Sequence, residues 1–377
     1  MKNALVFTGL FLLVLGSHAR ADVFNMGPGL TSLDTVYVGD AGNAPDPTTG
    51  FGEVDYNYNI GKCDVTTAQY VEFLNAKAQT DSYPGLWWQD MPTDCGILRG
   101  GGLEPGDPYF YSVAPGWENR PVTDVTAWNA MRFANWLSNG QGDGDTETGS
   151  YTLAGSNGVG PISRNRGATW YVPSMDEWYK AAYYKGEGTD AGYWLYPTQS
   201  DTAPGNQLPD PGNSANYYNN GYTVGNPYYT TPVGAFSNSP SSYGTFDQAG
   251  NVRQWSDTLH AVSPSGLAYY LTAGTMYADP ISLLSSAGEG FHENSYFTDP
   301  GLGFRVAEAV PEPPSRMVML VPLLFLSIPL AGKPLRRRLR SASRGASWLT
   351  ALALMAGILF LSQGAVGHVP YERSPIN

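Results

Sequence analysis

The residue types that most often carry redox or metal chemistry are scarce between residues 22 and 310. That segment has two cysteines, Cys63 and Cys95, and two histidines, His260 and His292. The cysteines lack the C-x-x-C spacing of a redox pair, which leaves a disulfide or two buried thiols as the alternatives. The histidines form no H-x-x-x-H pair, and lone histidines are more often surface or core residues than metal ligands. These four residues by themselves indicate no catalytic centre.

Two further pairs of side chains could act on or bind a ligand. Asp176 and Glu177 could serve as acid and base, but adjacent helical residues point about 100° apart, and both suit a helix N-terminus. Trp87 and Trp88 could stack on a sugar face, although such residues more often cover a core beneath a long loop. The sequence therefore assigns the carboxylates to helix capping and keeps Trp87 and Trp88 as a candidate stacking pair.

Two capping boxes predict where helices begin. In the first, Thr66 precedes Gln69 by three residues, and a helix is expected to run to about Ala78. In the second, Ser174 precedes Glu177, and the helix is expected to run through Tyr184. A third helix is predicted over Thr126–Ser138.

Alternating apolar residues predict strands in the first sixty residues of the domain. Val36–Val38 is expected to form an edge strand, and a second strand is expected just before Gly61. Residues 243–257, YGTFDQAGNVRQWSD, predict a tight turn that leads into a short strand. Gly244 and Gly250 permit the positive φ that such a turn requires.

Composition limits the class of protein and its partners. The chain has 377 residues, and residues 22–310 contain 11 Lys and Arg against 31 Asp and Glu, a net charge of −20. Such a domain repels the phosphates of nucleic acids, so a nucleic-acid partner is excluded. The richness in Tyr, Trp, Gly, Asn and Pro indicates a single loop-rich α+β domain with an aromatic core.

Both ends of the chain have the pattern of export and sorting segments. Residues 1–21 resemble a cleaved signal peptide, with an apolar run followed by Ala19-Arg20-Ala21. Residues 311–340 combine an apolar run with a basic cluster, as in a membrane anchor whose basic end is cytoplasmic. A second apolar run lies within residues 341–377, and its role stays open.

Five segments, in order along the chain, resemble the motifs of the formylglycine-generating-enzyme, or sulfatase-modifying factor, family. The match covers nearly all of residues 22–310, and it implies the α+β fold of that family, which is related to the C-type lectin fold. The segments are IGKCDVTTAQYVEFLNA (60–76), RPVTDVTAWNAMRFANWLS (120–138), WYVPSMDEWYKAA (170–182), YGTFDQAGNVRQWSD (243–257) and GLGFRV (301–306).

The same resemblance indicates where the family's metal ligands would lie. Enzymes of the family bind copper through two cysteines, and those positions hold Ala278 and Leu283 here. Some relatives hold iron with three histidines, a set that this domain lacks, so neither copper nor iron is expected. By resemblance, one structural calcium is expected at Asn216, with Asp247 as a further candidate ligand. A second calcium is expected at the segment that holds Asn251 and Gln254, where Gln254 replaces the family's glutamate and removes a charge.

Residues 311–340 also resemble the PEP-CTERM sorting signal of Gram-negative bacteria. That resemblance implies export, processing by an exosortase-like enzyme, and association with the cell envelope or with extracellular polysaccharide. Two functions follow as hypotheses. The first is a non-catalytic binding or structural module displayed at the cell envelope, and one version of it binds sugars through Trp87 and Trp88. The second is an oxidoreductase of the formylglycine-generating or nonheme-iron type.

Overall fold

The computed structural model describes residues 33–80, 85–104, 106–153, 160–288 and 290–310. The helices are α1 (Thr67–Lys77), α2 (Met91–Asp94), α3 (Ala127–Ser138) and α4 (Met175–Tyr183), with 3₁₀ turns at Ile281–Leu283 and Ser286–Gly288. The strands are β1 (Thr35–Val38), β2 (Tyr58–Gly61), β3 (Ile97–Gly101), β4 (Tyr109–Val113), β5 (Trp170–Tyr171), β6 (Arg253–Val262), β7 (Ala268–Ala273), β8 (Phe291–Asn294), β9 (Leu302–Gly303) and β10 (Ala307–Ala309). Together they form the loop-rich domain of mixed helices and sheets that was expected.

The segments predicted at 1–21, 311–340 and 341–377 lie outside the described residues. Within the described ranges, no helix combines the length and the apolar character needed to cross a membrane.

Both predicted capping boxes are confirmed. The Thr66 hydroxyl accepts from the Gln69 N–H at 3.2 Å, while the Gln69 side chain accepts from the Thr66 N–H at 2.8 Å. The Ser174 hydroxyl accepts from the Glu177 N–H at 3.1 Å, and Glu177 accepts from the Ser174 N–H at 2.6 Å. Glu177 is also fully buried against Arg164, with Nη2 and Oε2 2.7 Å apart. Glu177 therefore caps the N-terminus of α4, and Arg164 neutralises its charge. This arrangement fits a capping role and not a catalytic one.

Three sheets organise the described residues. Their strand orders are β1-β2-β10-β5, β3-β4 and β8-β7-β6-β9. The first sheet is antiparallel throughout, and its last strand along the chain, β10, lies between β2 and β5. In the third sheet β6 pairs antiparallel with β7 and parallel with β9. The predicted edge strand at Val36–Val38 is confirmed, because β1 pairs with β2 alone.

Aromatic residues fill the centre of the main core. Tyr70 and Phe73 of α1 face Phe133 and Trp136 of α3, with Phe73 and Phe133 centroids 5.4 Å apart. Phe304 closes the cluster at 5.3 Å from Phe133, mostly edge to face. Such pairs contribute about 0.5–1.5 kcal/mol each beyond the area that they bury. The apolar faces of α1 and α3 thus pack against each other through these aromatic rings, and this packing holds the sheets together.

Arg305 lies at the centre of a second, polar part of the interior. Its side chain is fully buried, and it donates to the carbonyls of Gly61 and Phe246, both at 2.8 Å. It also contacts Asp64 Oδ1 at 3.2 Å and donates to the Gln254 side chain. This one guanidinium connects the first sheet, the 243–257 loop and the start of β6.

Candidate functional site

The 243–257 loop and the turn after β7 form one hydrogen-bonded unit. The Gly250 N–H donates to the Thr275 hydroxyl at 3.0 Å, and the Tyr277 N–H donates to the Asn251 carbonyl at 3.0 Å. Gly250 has φ of +78°, so a side chain would be unfavourable there. The predicted turn is confirmed, although the strand that follows, β6, is ten residues long. This unit fixes residues 275–283, where the resemblance places the family's chemistry.

The residues at the two cysteine positions carry no group that can bind a metal. Ala278 and Leu283 are half-buried, and Leu283 ends a 3₁₀ turn. Copper(I) requires soft thiolate, thioether or imidazole ligands, and hydrocarbon side chains provide none. Within the described residues, no group of three or more His, Cys, Asp or Glu side chains is arranged to hold a metal ion. The residues at this place therefore do not fit copper or a three-histidine iron.

Asp279 and Arg253 stabilise the turn beside Ala278. Arg253 Nη2 lies 3.0 Å from Asp279 Oδ1, and the Asp279 carboxylate also accepts from the Met276 N–H at 3.0 Å. The guanidinium covers the ring of Phe291, 4.3 Å from its centroid. The charge of Arg253 is thus neutralised by Asp279, and this ion pair has a structural role.

Gln254 does not fit the calcium role that the resemblance gives it. Its side-chain carbonyl accepts from Trp178 Nε1 at 2.6 Å and from the Arg305 guanidinium. Its amide donates to the carbonyl of Asp247 at 3.0 Å. A calcium ligand needs an oxygen lone pair that faces the ion, and both acceptor positions of Gln254 already hold donors.

The other three expected calcium ligands are also largely committed to the fold. The side-chain oxygen of Asn251, Oδ1, accepts from the Thr231 N–H at 2.9 Å and from the Asn216 side-chain amide at 3.1 Å. The Asp247 carboxylate accepts from the Gly234 N–H at 2.7 Å, and burial raises its pKa to about 6. Asn216 keeps a buried oxygen, Oδ1, without a hydrogen-bond partner. The structure brings Asn216 and Asn251 together through a hydrogen bond between their side chains.

Cys63 and Cys95 are both free thiols, so the disulfide that the sequence left open is not formed. Cys95 lies in the main core, where its sulfur contacts the Thr123 carbonyl at 3.7 Å. Burial raises the pKa of Cys95 to about 12, and it raises that of Cys63 further, with Asp247 adding to the effect. Both thiols therefore stay protonated at neutral pH and are poor nucleophiles.

Trp87 and Trp88 form no open stacking platform. Both are half-buried and pack against the main core. The face of Trp87 is already covered, because the Arg99 guanidinium lies 3.9 Å from its ring. Its indole N–H donates to the Ile97 carbonyl at 3.3 Å. The structure thus shows the covering role for this pair.

His260 and His292 lie together at the surface of the third sheet. Their rings stack with centroids 4.1 Å apart, because an irregularity in the β6–β7 pairing leaves His260 out of register. Because the two imidazole rings are nearly parallel, their nitrogen lone pairs point in parallel directions and do not converge on a single metal ion. No local pattern predicts that these two residues meet, because they lie 32 positions apart on different strands.

Four carboxylates that sequence reasoning missed converge near the same turn, and we call them the acidic cluster: Asp90, Asp94, Asp124 and Asp299. Asp94 ends α2, Asp124 precedes α3, and Asp299 precedes β9. The Asp124 N–H donates to the Asp299 carbonyl at 3.4 Å, which ties two of these segments together. Because the members come from three separate segments, with Asp90 and Asp94 at the two ends of α2, no local pattern in the sequence marks the cluster.

Asp124 is the most buried member of the acidic cluster. It is only 4% exposed, and its Oδ2 has no hydrogen-bond donor among the described residues. Burial raises the pKa of Asp124 to about 7, and the adjacent carboxylate of Asp94 adds to the effect. Burial also raises the pKa of Asp94, with Asp90 and Asp299 contributing. The cluster therefore holds a proton near neutral pH, and it loses that proton as the pH rises.

Replacing Asp124 with asparagine is expected to stabilise the protein at alkaline pH by about 2 kcal/mol. The folded-state pKa lies above the unfolded value, so native stability falls as pH rises from about 4 to about 7. Asn cannot ionise, and it tolerates the φ of +60° at this position. Thermal melts of Asp124→Asn should coincide with the native curve near pH 4 and separate from it above pH 7, whereas those of an exposed control, Asp190→Asn, should follow the native curve at every pH. A constant difference at all pH values would contradict the assignment.

Four tyrosines lie beside the acidic cluster, and we call them the tyrosine cluster: Tyr218, Tyr222, Tyr229 and Tyr277. Tyr229 and Tyr277 stack at 5.5 Å, and Tyr222 meets Tyr229 edge to face at 4.9 Å. Tyr218 and Tyr222 are 43% and 46% exposed. Tyr277 connects the two clusters, because burial and then Asp299 and Asp94 raise its pKa to about 12. The arrangement joins exposed ring faces to a group of carboxylates.

One comparison with known proteins identifies the family. The family model of the sulfatase-modifying factor enzyme 1-like domain matches residues 35–310. No curated protein matches the chain significantly.

Among solved structures, one titled "Crystal Structure of CarF" is 24% identical with a TM-score of 0.46 over 74% of this chain and 99% of that chain. PvdO from Pseudomonas aeruginosa is 19% identical with a TM-score of 0.42, over 74% and 95%. Treponema denticola variable protein 1 is 16% identical with a TM-score of 0.40, also over 74% and 95%. The match of the family model extends over most of the chain, from β1 to the residue after β10. The chain therefore belongs to the family of the sulfatase-modifying factor enzyme 1-like domain.

Proposed function

We propose that this protein is an exported, non-catalytic member of its family that acts at the cell envelope as a binding or structural module. The observation that carries the proposal is the pair of residues at the family's copper-binding positions, Ala278 and Leu283. The two cysteines that the chain does have are a core thiol, Cys95, and a protonated one beside Asp247, Cys63. Neither belongs to the turn after β7.

The surroundings of the turn support the same proposal. Arg253 and Asp279 neutralise each other, and the side-chain oxygen of Gln254 already accepts hydrogen bonds from Trp178 and Arg305. An acid or base for catalysis needs a titratable group that is free to contact a substrate. The acidic cluster lies near the turn and beside exposed rings, and none of its carboxylates takes part in an ion pair among the described residues. Such a surface is better suited to binding than to oxygen chemistry.

Location and partners are part of the proposal and rest on the sequence. The signal peptide at 1–21 and the sorting segment at 311–340 favour export, processing by an exosortase-like enzyme and retention at the membrane. The net charge of −20 over residues 22–310 favours partners that are neutral or cationic and disfavours nucleic acid. Envelope or extracellular polysaccharide is the partner class that the sorting segment implies.

An oxidoreductase of the formylglycine-generating or nonheme-iron type is the second candidate, and membership of the family favours it. A metal assay separates the two functions. The full chain would be purified in detergent, incubated with Cu(I) or Fe(II), passed through a desalting column and analysed for copper, iron and calcium. We expect calcium alone or no metal. Near-stoichiometric copper or iron in the native chain would overturn the non-catalytic proposal.

A double variant, Ala278→Cys with Leu283→Cys, serves as the positive control for the assay. It restores two thiols at the positions where the family has them, and we expect it to retain Cu(I) after desalting. A second variant, Ala278→Ser with Leu283→Ser, adds polarity without thiols and should retain none. Copper in the serine variant would show that ligands elsewhere in the chain bind the metal.

A further inference from the structure

We propose that the tyrosine cluster is a binding surface for an uncharged polysaccharide. The inference rests on the proposed function, because it names the binding surface of the module and narrows its polysaccharide partner to a neutral one. The surface consists of the four rings and of the polar loop, residues 211–246, that carries three of them. It uses none of the residues at the family's metal-binding positions.

The four rings form one continuous patch. The ring of Tyr222 lies at its centre, 5.2 Å from that of Tyr218 and 4.9 Å from that of Tyr229, measured between centroids. The ring of Tyr277 lies 6.3 Å from that of Tyr222 and stacks on that of Tyr229 with 18° between the two planes. Tyr218 and Tyr222 are 43% and 46% exposed. Exposed ring faces are unfavourable in water, and a ligand that covers them removes this cost.

The phenol groups of the tyrosine cluster are not used by the fold. Among the described residues, none of the four forms a hydrogen bond with the protein. The buried tyrosines of α4 differ, because Tyr179 donates to Asp46 at 2.8 Å and Tyr183 donates to the Leu284 carbonyl at 3.4 Å. A phenol can both donate and accept, so the patch presents polar groups beside apolar ring faces. This combination suits a sugar, which has C–H groups on its faces and hydroxyl groups around its edge.

Backbone hydrogen bonds hold the tyrosine cluster in place before a ligand binds. The Tyr218 N–H donates to the Asp279 carbonyl at 3.0 Å, and the Tyr229 carbonyl accepts from the Asn216 side-chain amide at 3.0 Å. Tyr229 has a φ of +53°, which is unfavourable for a bulky side chain. Residues in such conformations persist only where their surroundings impose them, and they concentrate at ligand-binding sites. Rings that are fixed in this way lose little conformational freedom on binding.

The loop that carries three of the tyrosines is uncharged. Residues 211–246 contain no Asp, Glu, Lys, Arg or His, although charged residues make up 14% of the chain. Tyr, Asn, Ser and Gly account for 22 of these 36 residues. The same four types dominate antibody binding loops, where tyrosine supplies rigid contact area and the small residues supply hydrogen bonds. An anionic polymer would find no cation on this loop and would be repelled by the acidic domain, whereas a neutral one would not.

Asn219 and Asn220 add amide groups beside the rings. They lie in the turn between Tyr218 and Tyr222, and both are exposed. Neither side chain forms a hydrogen bond among the described residues. An amide has both donors and an acceptor, so it can bind two neighbouring hydroxyl groups of a sugar. A protein partner of so acidic a domain would be expected to present cations, and this loop has no carboxylate to pair with them. The observations therefore favour a neutral polysaccharide over a protein.

Affinity electrophoresis of the full chain tests the proposal. Native gels would contain hydroxyethyl cellulose, galactomannan or dextran as the neutral polymers. A polyoxyethylene detergent would be used, because glycoside detergents compete for a sugar site. Carboxymethyl cellulose is the matched charged polymer, since it has the backbone of hydroxyethyl cellulose with carboxylates added.

We expect at least one neutral polymer to retard the chain and carboxymethyl cellulose to leave its mobility unchanged. EDTA should not alter the result, because contacts with rings and amides need no metal ion. Retardation by none of the three neutral polymers, or retardation that EDTA abolishes, would overturn the proposal. Binding to a proline-rich peptide and to no polymer would assign the rings to a protein partner instead.

Variants locate the binding surface. Tyr222→Ala removes the central ring and should weaken binding to the retarding polymer about tenfold, whereas Tyr222→Phe keeps the ring and should retain most of the affinity. Tyr296→Ala is the matched control, because Tyr296 is 44% exposed and lies outside the cluster. Thermal melts check that each variant is folded. Equal affinities of Tyr222→Ala and the native chain would place the binding elsewhere and overturn the assignment.

Nitration gives a second measurement that needs no substitution. Tetranitromethane nitrates exposed tyrosines, and peptide mapping identifies the positions that react. Saturating polymer should protect Tyr218 and Tyr222, while Tyr296 should react as fast as in the free chain. Equal rates at Tyr222 with and without polymer would contradict the proposal.

The outcome is distinguishable from that of the metal assay. Unchanged mobility with every polymer, in a chain that binds no copper or iron, would reject the polysaccharide surface and leave the non-catalytic function standing. Stoichiometric copper or iron would reject the non-catalytic function whatever the gels show.

Discussion

Replacing Arg305 with methionine is expected to destabilise the protein by about 3–5 kcal/mol, because the change leaves a buried charge without its partner. Arg305 and Asp64 are both fully buried, and they are 3.2 Å apart. Methionine keeps most of the side-chain volume, so the loss comes from the missing donors. The carbonyls of Gly61 and Phe246 also lose a partner. Urea denaturation of the folded chain measures the change in the free energy of unfolding.

A second substitution identifies the cause of that loss. Asp64→Asn in the Arg305→Met background removes the unpaired charge and should restore part of the stability, whereas Asp64→Asn alone should be destabilising. Burial raises the pKa of Asp64 already in the native protein, and loss of the guanidinium raises it further. The variant's deficit should therefore shrink as the pH falls, because Asp64 becomes protonated. A deficit that is independent of pH would show that Arg305 acts through packing alone.

Gly250→Ala is the second substitution with a large expected effect, about 3 kcal/mol or more. The φ of Gly250 is +78°, and a Cβ atom at this position would lie 2.0 Å from the Asn216 carbonyl oxygen. The backbone cannot easily retreat, because Gly250 donates to Thr275 and Asn251 donates to the Asn216 carbonyl at 2.8 Å. We expect a loss of soluble folded protein or a strongly lowered melting temperature.

Gly42→Ala is the matched control for that substitution. Gly42 has nearly the same φ, +81°, but nothing lies within 4 Å of where its Cβ would be. The Gly42→Ala variant should therefore lose only about 1 kcal/mol in the free energy of unfolding, the cost of placing alanine in the left-handed backbone region. Equal melting temperatures for the two variants would mean that the close approach of Gly250 to Asn216 does not matter.

Local signals in the sequence were sufficient to predict α1, α3 and α4, whereas the four-residue helix α2 was not predicted. Thr66 and Ser174 each lie three residues before a Gln or Glu, and both boxes form as expected because all their partners are within one turn. The strand that follows Asn251 was expected to be short, yet β6 extends to Val262. Its length depends on pairing with β7 and β9, and that pairing involves residues up to Gly303, which no local pattern reveals.

Less of the candidate site than of the helices could be predicted from the sequence. Ala278 and Leu283 could be assigned from the order of motifs, since a missing thiol is visible in the sequence. Gln254 looked like a weakened calcium ligand, and only the structure shows that Trp178 and Arg305 occupy its oxygen. Asp94 ends α2, and Asp124 precedes α3. Their proximity depends on tertiary packing, so acidic composition alone could not identify them.

The place of β10 in the first sheet has a consequence for the timing of folding. Ile60 in β2 pairs with Ala307, and Ala307 also pairs with Tyr171 in β5. At about 5–20 residues per second, synthesis needs on the order of 12–50 s to pass from β2 to β10. During that interval β2 and β5 have unpaired edges, and the sheet cannot close. The first sheet therefore closes only after β10 has been synthesised, and any early stop before Ala307 would leave two strand edges open to aggregation.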